Sequence, residues 1–175
     1  MTVMSTPPKG WLVMGTAPQD YVFAMDTTER HSGTRCAVVR AREDRPSGFA
    51  TLMQELAPDD YRGHRVRLSG WVKTSNVEGR AWLWMRADGA ARLGIAMDNM
   101  HKRPIKGTTD WTRYDLVLDI PAEAVGLSFG MCLDGPGAAW LDDVVLELVG
   151  DDVPTTTENS SGERPRQPEN LNFES

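Results

Sequence analysis

Six tryptophans and a scatter of arginines are the side chains in this 175-residue sequence best equipped to hold a small molecule. Trp71, Trp82 and Trp84 lie close together in sequence, with Arg67 and Arg86 around them. Indole faces stack against C–H groups and flat rings, and guanidinium groups grip anions bidentately. A second cluster, Asp98-Asn99-Met100-His101-Lys102-Arg103, places an acid, an imidazole and a guanidinium in one connection. Such a set could serve as acid, base and anion clamp, or it could be turn chemistry in which Asp98 and Asn99 bond back to the backbone. Glu55 stands beside Gln54 in an apolar stretch. Paired with Asp98 at about 5–10 Å it would make a two-carboxylate hydrolytic site, but no spacing rule joins the two. The candidate catalytic residues, should the chain be an enzyme, are therefore Asp98, His101 and Glu55. The candidate ligand-binding residues are Arg67, Trp71, Trp82, Trp84, Arg86, Gln54, Asn99 and Arg103.

The elements that must position these side chains read as strands. Residues 65–73 alternate: Val66, Leu68, Gly70 and Val72 face one way, and Arg67, Ser69 and Trp71 the other. Such alternation marks a strand with one buried face. In 80–86, Leu83 and Met85 can face the core, which turns Arg80, Trp82, Trp84 and Arg86 outward. In 127–133, burying Leu127, Phe129, Met131 and Leu133 leaves Ser128, Gly130 and Cys132 outward, all small. If these strands share a sheet, aromatic and guanidinium groups surround a floor of small side chains, a concave ligand face. The opposite register, one residue away, would bury Trp82 and Trp84 as core. Trp111 and Trp140 stand at strand starts and read as scaffold. Further strands are expected over 21–26, 35–41, 49–56, 92–97, 111–120 and 138–149, separated by Gly and Pro turns. Residues 57–62 could form one helical turn. Strands at this spacing predict an all-β, two-sheet antiparallel sandwich.

Composition bounds the partners. The net charge is −6, and residues 150–175 carry −4 of it. Counterion release needs a basic face, so nucleic acid is not expected as a partner. No apolar run is long enough to span a membrane, and the N-terminus lacks a signal-peptide core. A cytoplasmic location is the expectation. Cys36 and Cys132 are far apart and read as two buried free thiols, and the three histidines show no zinc spacing. No cofactor or metal is expected from these patterns. The chain divides into a flexible N-terminus over 1–9, a sandwich over 10–149 and a disordered linker over 150–168. Residues 169–175 form a candidate docking strand, since Asn170-Leu171-Asn172-Phe173-Glu174 alternates again.

Residues 97–121 are the most distinctive stretch: Met97-Asp98-Asn99-Met100, Arg103-Pro104-Ile105-Lys106-Gly107-Thr108-Thr109-Asp110-Trp111, and Tyr114 to Pro121. With Gly10-Trp11 before and Trp140-Leu141-Asp142-Asp143-Val144 after, the chain resembles the galactose-binding-domain-like jelly rolls. These include many carbohydrate-binding modules and bacterial domains attached to regulators or hydrolases. The resemblance implies a jelly roll over about 10–149. Its usual first strand looks like Asn-Leu-x-Phe-Glu, which here falls at the C-terminus. A strand completing a sheet from that end, or exchanged between two copies in a homodimer, is what the permutation implies. The resemblance also carries a structural calcium near the Asp142-Asp143 region. Three functions follow as expectations. The first is a module that binds a carbohydrate or a polar or aromatic metabolite on the Trp/Arg face. The second is a cofactor-free cyclase, isomerase or lyase using the same pocket. The third is an interaction protein using the C-terminal strand.

Overall fold

Why the chain pairs as it does follows from its alternating rows. In the computed structural model, which describes residues 6–157, those rows form nine strands and a single 3-10 turn over Pro18–Asp20. The strands are β1 (Leu12–Gly15), β2 (Tyr21–Asp26), β3 (Cys36–Ala41), β4 (Phe49–Leu56), β5 (Arg65–Gly89), β6 (Ala96–Asp98), β7 (Ile105–Asp119), β8 (Ala124–Asp134) and β9 (Ala138–Val149). All pair antiparallel. The turn expected over 57–62 is present as one coil of chain, in which the Pro58 carbonyl accepts from both Tyr61 and Arg62.

The strands expected over 65–73 and 80–86 are one strand of 25 residues. The first part of β5 is flanked by β7 and β9; the last part is flanked by β8 and β6. Between them the register slips three times, from Val72 to Ala81, and Asn76 takes a φ of +53°. Such bulges bend a strand and re-aim its side chains. One sheet therefore runs β1-β4-β8-β5-β6, and the other β7-β5-β9-β3-β2, with β5 belonging to both.

The two sheets pack face to face as a sandwich. Leu52, Leu83, Met85, Leu127, Met131 and Leu133 come from the first, and Phe23, Val39, Val66, Leu68, Leu116 and Leu118 from the second; all join one core cluster. The sheets approach closely at Gly70, where a Cβ would sit 3.2 Å from Leu141 Cδ1 and 3.4 Å from Leu83 Cδ1. Gly70 thus replaces an apolar side chain in its row because the facing side chains already fill the space. Trp11 covers one edge of this core, its ring perpendicular to that of Phe129 at 5.8 Å.

The open side between β6 and β7 is closed by a clip. Thr156 N–H donates to the Val117 carbonyl at 3.0 Å, and Val117 N–H donates to Thr156 Oγ1 at 2.8 Å. The Thr156 hydroxyl in turn donates to Asp98 Oδ2. Arg65 adds bonds to the carbonyls of Asp151 and Val153. Within the segment expected as a linker, residues 151–157 are described and held in this way. The candidate docking strand over 169–175, and any exchange through it, lies outside the described residues, as do residues 158–168 and 1–5.

Candidate functional site

The five residues nominated as one Trp/Arg face do not share a face. Arg67 and Trp71 lie on the outer side of the β7-β5-β9 sheet, and Trp82, Trp84 and Arg86 on the outer side of the β4-β8-β5 sheet. The cause is the crossing of β5: alternation within a strand is preserved, but its two ends belong to opposite layers. Gln54 is also displaced from the face. It pairs in register with Phe129, in the row whose neighbours Leu52 and Met131 point into the core.

The outer face of the β2-β3-β9-β5-β7 sheet is chemically satisfied. Arg67 Nε and Nη2 both donate to Glu147 Oε1, at 2.9 and 2.6 Å. The His31 ring stacks on Trp71 at 3.9 Å and 15°, and meets Trp111 edge-on at 5.9 Å. His31 Nδ1 lies 2.6 Å from Asp143 Oδ2, and the backbone N–H groups of His31 and Ser32 donate to Asp142 Oδ2 at 2.9 and 3.1 Å. The Ser32 hydroxyl bonds Asp143 as well. These contacts from His31 and Ser32 hold the Asp143 carboxyl below its ordinary range. The loop between β2 and β3 is thus strapped across Trp71. The same carboxylates are those the resemblance assigns to calcium. They are engaged by the strap, and among the described residues no group of three or more His, Cys, Asp or Glu side chains is arranged to hold a metal ion. Calcium takes six or more oxygens, so this arrangement does not fit it.

The outer face of the β1-β4-β8-β5-β6 sheet is built differently. Its cross-strand rows, read from β6 or β5 toward β1, are Met97-Arg86-Ser128-Glu55, Trp84-Gly130-Met53-Leu12 and Trp82-Cys132-Thr51-Met14. Gly130 lets β8 press against β4: a Cβ there would come within 2.3 Å of the Leu52 carbonyl oxygen. The Trp84 indole reaches across β8 and donates from Nε1 to Thr51 Oγ1 at 2.8 Å. Thr51 passes its own proton to the Met131 carbonyl at 3.1 Å. The Arg80 guanidinium lies over Trp82, 4.5 Å from the ring centroid, and Phe49 flanks the same indole. Arg86 is engaged with Asp88, whose Oδ2 accepts from Nη2 at 3.0 Å; Nε is 2.8 Å from Oδ1 but poorly aligned for a hydrogen bond. Trp82 and Trp84 are each 9% exposed, whereas Leu12, Met14 and Met97 are 46%, 54% and 38% exposed. Burial pushes the Cys132 thiol up to about 12, so it stays protonated at neutral pH and is no nucleophile.

The loop after β6 is a joint. Asp98, 6% exposed, accepts from Met100 N–H at 2.9 Å, from Arg103 Nη2 at 2.6 Å and from Thr156. Every one of these contacts holds its carboxylate in place within the fold. Asn99 is half-buried and His101 exposed. Asp98 pairs in register with the core-facing Met85, while Glu55 points outward beside Ser128. The two carboxylates are on opposite sides of one sheet and cannot flank a common ligand. Sequence reasoning did not mark Leu12, Met14, Thr51 or Met97. The alternation of 49–56 could have pointed to Thr51, but β1 is too short to show a period.

These features define a β-sandwich of the carbohydrate-binding-module type. Over 84% of this chain and 90% of the other, it matches the C-terminal family 22 carbohydrate-binding module of Clostridium thermocellum Xyn10B, at a TM-score of 0.56 and 15% identity. Another structure of the same fold is a Stig cyclase, Fisc, from Fischerella sp. TAU, solved in complex with (3Z)-3-(1-methyl-2-pyrrolidinylidene)-3H-indole; its TM-score is 0.58, its identity 14%, and the match covers 83% of this chain and 88% of that one. In sequence the chain is 42% identical over 167 residues to an uncharacterized HTH-type transcriptional regulator, YbfP, of Bacillus subtilis (strain 168). That match takes in 95% of this chain and 57% of the regulator's length. No family model matches the chain.

Proposed function

We propose that this chain is a sensing module: the outer face around Trp82 and Trp84 binds a small organic molecule, a carbohydrate or a polar or aromatic metabolite, and holds it unchanged. The observation that carries this reading is the surface itself. On one sheet face two indoles lie between exposed apolar side chains at its two edges, Leu12 and Met14 on β1 and Met97 on β6. The indoles between these edges supply flat apolar surface, with Arg80 and Arg86 against them as polar anchors. The candidate acid–base residues do not converge on this face, which favours binding over turnover. The sequence relative is described as a helix-turn-helix regulator, and the described residues here contain no helix beyond one 3-10 turn. The region in common is therefore read as the part that receives a signal, with DNA contact falling to the remainder of such a regulator. Cys36 and Cys132, both buried and unpaired, accord with a reducing cytoplasm.

A thermal-shift screen of the full chain against central metabolites, aromatic metabolites and oligosaccharides tests the proposal. The expected result is a compound that raises the melting temperature of the wild type and loses that effect in at least one of Met14→Glu, at the β1 edge, and Met97→Glu, at the β6 edge. A compound stabilising all three equally would place the site elsewhere.

A further inference from the structure

The second layer is unfinished along β9, and we propose that the chain's own C-terminal segment, residues 169–175, completes it as a further strand on the free edge of β9. β3 pairs with β9 only from Ala138 to Leu141. β9 runs on to Val149 with β5 on one side, and among the described residues no strand pairs with its other side from Asp142 onward. An open edge presents a row of backbone N–H and C=O groups ready to pair. The core-facing row of β9 opens in the same place. Leu141 is buried, Val144 and Leu146 are half-buried, and Leu148 is 52% exposed although it pairs in register with the fully buried Val66. Val144 also lines a narrow apolar cleft between the layers, together with Trp11, Leu68 and Phe129.

The C-terminal segment has the pattern this edge requires. Leu171 and Phe173 alternate with Asn170, Asn172 and Glu174. A strand with that period puts both apolar side chains on one face and the polar ones on the other. Paired beside β9, Leu171 and Phe173 cover Leu146 and Leu148, and the polar residues meet water. The edge at β1 suits the segment less well: β1 has only four residues, and its exposed Leu12 and Met14 face away from the core. Chain length permits the pairing within one molecule. Thr156 is bonded to Val117 on β7, and β7, β5 and β9 are neighbours in that order. At about 4.8 Å per strand, the far edge of β9 lies about 20 Å across the sheet. Residues 158–169, extended, reach about 40 Å, enough to pass around the sheet without a second copy.

Hydrogen exchange on the full chain tests this, with the wild type compared against Leu171→Asp/Phe173→Asp. In the wild type, amides within residues 144–149 and 171–173 are expected to be protected together. The double variant should exchange at least tenfold faster in both stretches and melt at least about 5 °C lower. Should the double variant fail to fold, Phe173→Ala alone gives the same readout. Protection over 144–149 that survives the change, or a loss confined to β1, would overturn the proposal. Sedimentation of the wild type is expected to show a monomer. A dimer that dissociates in the variant would hand the β9 edge to the tail of a second copy, and would overturn the pairing within one chain.

Discussion

Both outer faces of the sandwich carry tryptophan and arginine, yet they present opposite surfaces. On the β7-β5-β9 side each functional group has a partner from the chain itself: Arg67 has Glu147, and Trp71 has the His31 ring. On the β4-β8-β5 side the indoles lie nearly buried beside Arg80 and Arg86, and the exposed apolar side chains, Leu12, Met14 and Met97, stand at the two edges of the sheet. The lesson is that composition does not make a binding face. The first side is aromatic and charged but complete; the second is apolar and incomplete, and incompleteness is what a ligand can relieve.

The sharpest way to break the contrast is to truncate one indole on each side. Trp84→Ala removes a buried ring and leaves Thr51 without its donor, so it should cost about 3–5 kcal/mol, read from urea unfolding. Trp71→Ala removes a half-buried ring and should cost about 1–2 kcal/mol. Equal losses would mean that the two tryptophans are packed alike. His31→Ala should lower stability by about 0.5–1 kcal/mol while raising hydrogen exchange at Ser32 in the strap. Protection there that survives the change would show that the strap is held without the stacked ring.

Acid should loosen the strapped side before the apolar one. The Asp143 carboxyl is held low by His31 and Ser32. Burial acts to raise the Asp26 carboxyl, but bonds from Trp140, Thr28 and Glu29 outweigh it and hold it low. A carboxylate depressed in the folded state stabilises fully above its unfolded value, and that contribution is lost as pH falls through the folded one. Stability should therefore be flat from pH 7 down to about 4, near the ordinary carboxylate value of 3.8, and decline below it. Asp26→Asn should shallow that decline; an unchanged acid limb would assign it to other carboxylates. The smallest effect is expected at Met97→Ser, within about 0.5 kcal/mol of wild type in stability.

Much of the fold was legible because alternation reports burial directly. Val66, Leu68, Val72, Leu83, Met85, Leu127 and Met131 all point inward as their spacing predicts. Alternation states which side of a strand is dry, but not which sheet the strand occupies. That is why Trp71 and Trp84 read as neighbours when β5 carries them to opposite layers. The connections that fix Asp98 and His31 escaped for a related reason. Thr156 meets Asp98, and Asp143 meets His31, across separations that no local pattern encodes. Gln54, named as a candidate ligand-binding residue for its polarity in an apolar stretch, lies in register with Phe129 in the core-facing row, because polarity alone does not report which side of a strand a residue takes.

The shared strand has a further consequence, for how the molecule comes together. Arg65 must find both Asp119 and Val149, and the far end of the same strand must find β8. Neither layer can be completed until a ribbon of 25 residues has been placed. Pairings so distant close large loops before they are rewarded, which slows folding. Once formed, the ribbon couples the layers, so that local opening of one withdraws support from the other. A nick within residues 73–80 would therefore not yield two separable sheets. It would abolish the single cooperative transition of the whole sandwich.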